Sequence, residues 1–239
     1  MSRDGDIRRW NKGKGKDETG GEKRRKLTRR VKTARGRKIS SVRWLQRQIN
    51  DVYVQRAQKD GYRGRAAYKL LELDERFSLI KRGSLVVDLG AAPGGWSQVA
   101  LARGAGRVVG IDLLEVEPLE GADFLEMDFT EEAAALSVRE LLQGAPQLVL
   151  SDMASNTTGH PATDHLRIVA LVELAAEFAI ETLAPGGKFV AKVFQGGSEG
   201  QLLKTLKASF GSVRHFKPDA SRAESAETYV IARDFRGNP

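Results

Sequence analysis

The stretch Leu85-Val86-Val87-Asp88-Leu89-Gly90-Ala91-Ala92-Pro93-Gly94-Gly95-Trp96 decides how this 239-residue chain folds. An apolar run ends in a cluster of small residues and passes into a helical pattern. It therefore reads as strand, tight turn and helix, the setting of a nucleotide-binding loop. Small residues at such a turn let the backbone approach a ligand closely. The G-x-G-x-x-G spacing of a dinucleotide loop is not met, because Ala92 stands two places after Gly90. Gly90, Pro93, Gly94, Gly95 and Trp96 are the expected cofactor contacts of this turn.

Working outward, short apolar runs at 108–111, 123–126, 147–150 and 188–193 read as further strands, and two more are expected at 212–216 and 228–232. Helical patterns fall between them at 96–102, 131–142, 164–183 and 200–210. Ala184-Pro185-Gly186-Gly187 stops the third of these and turns the chain into the next strand. Alternation of this kind predicts an α/β fold, a mostly parallel seven-stranded Rossmann-like sheet with helices on both faces.

Acids at the strand ends narrow the cofactor. Asp112 closes the second strand, where a carboxylate can accept both ribose hydroxyls of an adenosine. Asp128, beyond the third strand, is placed to accept from an adenine amino group while Phe129 offers its backbone amide. Carboxylates rather than lysine or arginine at this rim suit a cationic sulfonium without phosphates. These features point to S-adenosyl-L-methionine and to the class I methyltransferase fold that binds it.

Charge is divided along the chain. Residues 1–40 hold 16 Lys/Arg and 5 Asp/Glu, a net of +11, while the rest is net −3. The segment also lacks apolar periodicity, so it is expected to be a disordered basic extension with affinity for a polyanion. Residues 41–239 form the expected folded domain: helices with Ser41 as N-cap and a second helix at 65–77 within residues 41–82, then the Rossmann-like core at 83–239. The N-terminus is charged from Arg3, and no run reaches the roughly 18 apolar residues of a membrane span, so a soluble cytoplasmic protein is expected.

Two residues stand out chemically without any comparison. Asp152 and Lys192 end strands that neighbour the cofactor strand in a doubly wound order, so both should face its carboxyl-edge crevice. Lys192 lies in the apolar strand Phe189-Val190-Ala191-Lys192-Val193-Phe194, where an isolated cation is costly unless it has a task or a partner.

The chain resembles the FtsJ/RlmE family of ribosomal RNA 2′-O-methyltransferases over about residues 41–235. The resemblance rests on Ser41-Val42-Arg43-Trp44-Leu45, Arg65-Ala66-Ala67-Tyr68-Lys69-Leu70, the Asp88–Trp96 loop, Ser151-Asp152-Met153-Ala154, Lys192-Val193-Phe194-Gln195-Gly196 and Lys217-Pro218-Asp219-Ala220-Ser221-Arg222. It implies a catalytic tetrad of Lys69, Asp152, Lys192 and Glu227, with Asp152 also touching the cofactor. It further implies a uridine ribose in large-subunit ribosomal RNA as acceptor, the large ribosomal subunit as partner, and a monomer. Within that frame Lys192 is the expected general base for the 2′-hydroxyl, assisted by the Lys69 charge and oriented by Asp152 and Glu227. An ammonium that only steers the hydroxyl is the alternative. Other RNA acceptors, such as transfer RNA or a messenger cap, and a non-catalytic ribosome-assembly factor on the same fold also remain open.

Absences exclude other chemistry. Cysteine is missing, so C5 methylation of pyrimidines through a cysteine adduct is ruled out. The Ser151-Asp152-Met153-Ala154 turn lacks the Asn/Asp-Pro-Pro-aromatic pattern used on base amines. His160, His165 and His215 lack metal-ligand spacing, so no metal is expected. Phosphate contacts are expected from Arg43, Arg47, Arg63, Arg65, Lys217 and Arg222. Trp44 and Tyr68 fit core spacing better than a base-stacking role.

Overall fold

The computed structural model describes residues 39–154, 160–194 and 200–237, so the expected basic extension lies almost wholly outside the described residues. Two helices, α1 (Ile39–Asn50) and α2 (Val52–Asp60), lead into α3 (Ala66–Phe77). The apolar periodicity through 57 predicts one helix here, but Asp51 breaks it. Asp51 adopts extended backbone angles and its carboxylate accepts the Tyr53 N–H at 3.0 Å, capping α2 afresh.

The alternating unit then runs β1 (Leu85–Leu89), α4 (Gly95–Ala102), β2 (Arg107–Asp112), β3 (Ala122–Glu126), α5 (Glu132–Leu142), β4 (Leu148–Ser151), α6 (Pro161–Thr182), β5 (Lys188–Phe194), α7 (Gly200–Ser209), β6 (Phe210–Phe216) and β7 (Glu227–Phe235). Helix α6 starts three residues earlier than the expected Asp164, with Pro161 in its first turn, where a missing N–H costs nothing. The seven strands are ordered β3-β2-β1-β4-β5-β7-β6, and only β7 runs against its neighbours. This is the Rossmann-like class I methyltransferase architecture expected from the sequence.

Strand alternation divides the core between two faces. Val87 and Leu89 pack with α5, α6 and α7 on one face, whereas Val86 packs with α3 and α4 on the other. Strand order reverses at β1, whose neighbours are β2 and β4, so the crevice opens past Leu89 and Ser151. No helix among the described residues is long and apolar enough to cross a membrane.

Candidate active site

Beyond that switch point two loops meet backbone to backbone. The Asp152 N–H donates to Leu89 O at 3.1 Å, and a Cβ on Gly90 would lie 2.8 Å from Met153 N. Gly90 also has φ +81°, so the position demands glycine twice over. The two loops, with the ends of β2 and β3 opposite, border a cavity of about 290 Å³ whose walls include Gly90, Asp112, Asp128, Phe129, Asp152 and Met153. Pro93, Gly94, Gly95 and Trp96 do not line it. The Trp96 indole points the other way: it is 2% exposed, donates to Ala66 O at 2.8 Å and packs 5.6 Å from the Tyr229 ring. Only its backbone N–H, in the first turn of α4, remains to serve a ligand.

Asp112 holds the rim together, its Oδ2 accepting the Ala92 N–H at 2.9 Å and its Oδ1 the Leu114 N–H at 3.0 Å. Asp128 accepts the Thr130 N–H and hydroxyl, which keep its pKa below the ordinary carboxylate value. Phe129 anchors this wall edge-on against Phe178. Asp88 lies beneath the glycine turn, fully buried. Burial, helped by repulsion from nearby Asp152 and Asp112, pushes its pKa up to about 7 against the opposing hydrogen bonds from the Ser97 hydroxyl and backbone N–H. In the unfolded chain the same carboxyl titrates near its ordinary value, so the stability tied to its neutral form is lost as pH rises from about 4 through about 7. Asp88→Asn should accordingly gain thermal stability relative to the parent as pH climbs across that interval. Melting temperatures from pH 5 to 8 check this, and a pH-independent difference would refute it.

The four expected catalytic residues converge. Lys192 sits directly opposite Tyr229 in the β5–β7 register, and Glu227 lies two residues along β7 on the same face. Lys69 reaches this face from the first turn of α3. Its Nζ is 2.8 Å from Glu227 Oε1 and 3.9 Å from Asp152 Oδ2. Lys192 Nζ donates to Asp152 O at 2.6 Å and to Asp152 Oδ1 at 3.1 Å. Among the described residues, Asp152 takes two of its three bonding directions. Ser221 adds a hydroxyl bond to Glu227 Oε1 at 2.8 Å.

Tyr229 is the member that sequence reasoning missed. Its hydroxyl donates to Asp152 Oδ1 at 2.8 Å and accepts from Lys69 Nζ at 3.1 Å. Burial first, then Asp152 and Glu227, hold its pKa well above the usual phenol value, so it stays a neutral donor. The signal was available in the spacing, since a residue two along a strand from Glu227 must share its face. Tyr229→Phe keeps the ring packing and removes that hydroxyl. Losing its hydrogen bonds to Asp152 and Lys69 should lower turnover by roughly 10- to 100-fold. Steady-state kinetics with a melting curve test this, and unchanged turnover would show the hydroxyl to be dispensable.

Most of the expected phosphate contacts are engaged internally. Arg65 bonds Asp51 and Ala220 O, Arg222 Nη2 lies 3.5 Å from Asp51, and Lys217 Nζ donates to Ser225 O at 2.6 Å. The Ala220 N–H donates to Glu72 at 3.1 Å. These bonds dock the loop between β6 and β7 onto α2 and α3 and so set the approach of Ser221 to Glu227. Arg63 likewise bonds backbone carbonyls. Tyr68 is core, 6% exposed, and its hydroxyl donates to Asp60 at 2.6 Å. The side chains of Arg43, Trp44, Arg47 and His165, together with Gln195 and Gly196, lie outside the described residues. Among the described residues no cluster of His, Asp or Glu is arranged to hold a metal ion.

The FtsJ-like methyltransferase family model matches residues 62–235. The chain is 65% identical over 220 residues to the ribosomal RNA large subunit methyltransferase E of Maricaulis maris, covering 91% of this chain and 79% of that protein. It is 61% identical over 209 residues to the protein of the same name from Sphingopyxis alaskensis, covering 87% and 91%. Among solved structures, a protein titled a ribosomal RNA methyltransferase from Plasmodium falciparum superposes with a TM-score of 0.66 at 29% identity, over 74% of this chain and 100% of that one.

Proposed function

Because this chain belongs to the FtsJ-like methyltransferase family, we propose that it transfers a methyl group from S-adenosylmethionine to the 2′-oxygen of a uridine ribose in large-subunit ribosomal RNA. The observation that carries this reading is the Lys69–Asp152–Lys192–Glu227–Tyr229 cluster, which opens through Asp152 onto a carboxylate-walled cavity. Among the described residues the cavity has Asp112, Asp128 and Asp152 on its walls and neither lysine nor arginine, a donor set that fits a sulfonium cofactor and not a phosphorylated one. Asp112 would hold the ribose hydroxyls, Asp128 and the Phe129 N–H the adenine, and Asp152 the end nearest the reaction. When bound, that cofactor supplies an electrophilic methyl group.

The chain's own residues prepare the acceptor. Lys192 takes the proton of the 2′-hydroxyl at its Nζ, held in line by its two bonds to Asp152. Tyr229 fixes the Asp152 carboxylate, and Glu227 fixes Lys69, whose charge lies beside the oxygen that becomes negative. An attacking hydroxyl, rather than a base carbon or amine, is what such a lysine–carboxylate set serves. The relatives' names supply the ribosomal substrate.

Mapping ribose methylation across ribosomal RNA from cells with and without the gene tests the reading. One large-subunit ribose should lose its methyl group in the deletion and regain it with the parent gene, but not with Lys192→Ala. An unchanged map would overturn the assignment.

A further inference from the structure

We infer that Arg63 is a positioning residue that holds the Asp112 wall of the cavity in place, an inference that rests on the cofactor reading above. Arg63 lies in the short loop between α2 and α3, and its charge suggests a phosphate contact. The structure places its guanidinium instead on three backbone carbonyls. Nη1 donates to Glu117 O at 2.7 Å and Pro93 O at 3.3 Å, and Nη2 donates to Pro118 O at 2.8 Å. The root of the side chain is fixed too, since the Arg63 N–H donates to Gln98 Oε1 at 3.0 Å and Gln98 Nε2 donates back to Gly61 O at 2.8 Å.

The three acceptors belong to two segments, the glycine turn after β1 and the loop between β2 and β3. On the cavity side Asp112 ties the same two segments together by accepting from Ala92 and from Leu114, just beyond the Gly90 and Ala91 N–H groups that donate to Ile111 O. Asp112 therefore sits at a seam closed from outside by Arg63. Gly94 reinforces the point. Its φ is +101°, and a Cβ there would lie 2.6 Å from Arg63 Nη1 and 3.1 Å from Val116 Cγ1, so the guanidinium packs directly on the turn. Nη1 alone bridges the two segments and Nη2 adds Pro118 O from the same plane, a three-carbonyl arrangement that a shorter side chain ending in one ammonium nitrogen reproduces only in part. Arg63 does not line the cavity. It acts through Asp112, and its loss should weaken cofactor binding while sparing the chemical step.

Titration of the full chain with S-adenosylhomocysteine tests this, using the parent, Arg63→Met, Arg63→Lys, Asp112→Ala and the Arg63→Met/Asp112→Ala double variant. Arg63→Met should weaken binding by about tenfold or more, the scale of lost hydrogen bonds to a charged group. Arg63→Lys should fall between, and it carries the test if the methionine variant fails to fold. Turnover at saturating cofactor should change less than about threefold, since the proton-transfer groups are untouched. On the Asp112→Ala background the Arg63 substitution should add almost nothing, because the two act in series. Unchanged affinity, or the full loss repeated on that background, would overturn the inference. Hydrogen exchange at 113–121 in ligand-free protein addresses the clamp separately and should be faster in Arg63→Met. A parent that exchanges slowly but binds no S-adenosylhomocysteine would count against the cofactor reading, and exchange unaltered by the substitution would count against the clamp.

Discussion

Lys192→Arg is expected to lower methyl transfer by about a thousandfold, within the roughly 10²–10⁴ that a general base contributes, with cofactor and RNA affinity retained. Arginine keeps the cation and can still donate to Asp152, but it does not give up its proton in a protein. The substitution therefore separates a nitrogen that accepts the hydroxyl proton from one that only steers the hydroxyl. The geometry makes the test clean. Lys192 is 6% exposed, its neighbours on β5 are core residues, and two of its bonds end on Asp152, so its position is set by groups that the substitution leaves in place. Single-turnover rates at saturating cofactor and RNA provide the measurement. Full turnover in this variant would show that the ammonium steers and that the base assignment is wrong.

Asp152→Asn should have a different signature, with rate, cofactor affinity and stability falling together. Burial alone would raise the Asp152 pKa, but Lys192 and Lys69, with hydrogen bonds from Tyr229 and Lys192, outweigh it and hold the carboxyl below its ordinary value. A carboxylate held in this way contributes stability that is present above its unfolded pKa and is lost as pH falls through the folded one. Neutralising it leaves Lys192 and Lys69, whose side chains are 7% and 10% exposed, without their shared countercharge. Breaking such a buried network costs about 3–5 kcal/mol. Denaturant unfolding between pH 3 and 7 should show the variant to be less stable at neutral pH and less sensitive to acid than the parent. A variant with parental stability at pH 7 would contradict the central place given to this carboxylate.

Much of the fold was legible because its signals are local. The run from Leu85 to Trp96 carries strand, turn and helix within twelve residues, and every later strand begins within a few residues of its apolar run. Asp152 was legible for the same reason, since it follows the end of β4 beside the switch point; Lys192 was legible as a lone cation in an apolar run, although it lies within β5, which neighbours β4 and β7 and not β1. Lys69 and Glu227 came from resemblance, because a helix and an antiparallel strand far apart in sequence converge only through tertiary packing. Tyr229 was hidden by looking like core, and its ring is core; only its hydroxyl belongs to the site. The arginines misled in the opposite sense. Positive charge in sequence does not reveal whether a guanidinium meets a phosphate or, as for Arg63 and Arg65, backbone carbonyls and the part-buried Asp51. Trp96 shows the same ambiguity, its position in the cofactor turn saying nothing about the direction of its ring.

The identity of the methylated nucleoside tests the proposed reaction most directly. The purified chain would be incubated with S-adenosylmethionine carrying a deuterated methyl group and with large ribosomal subunits from cells lacking the gene. Their RNA would then be digested to nucleosides for mass spectrometry. The label is expected on the ribose of a single nucleoside, 2′-O-methyluridine, with none in the Lys192→Ala reaction. Label on a base, or label that persists in that variant, would contradict it.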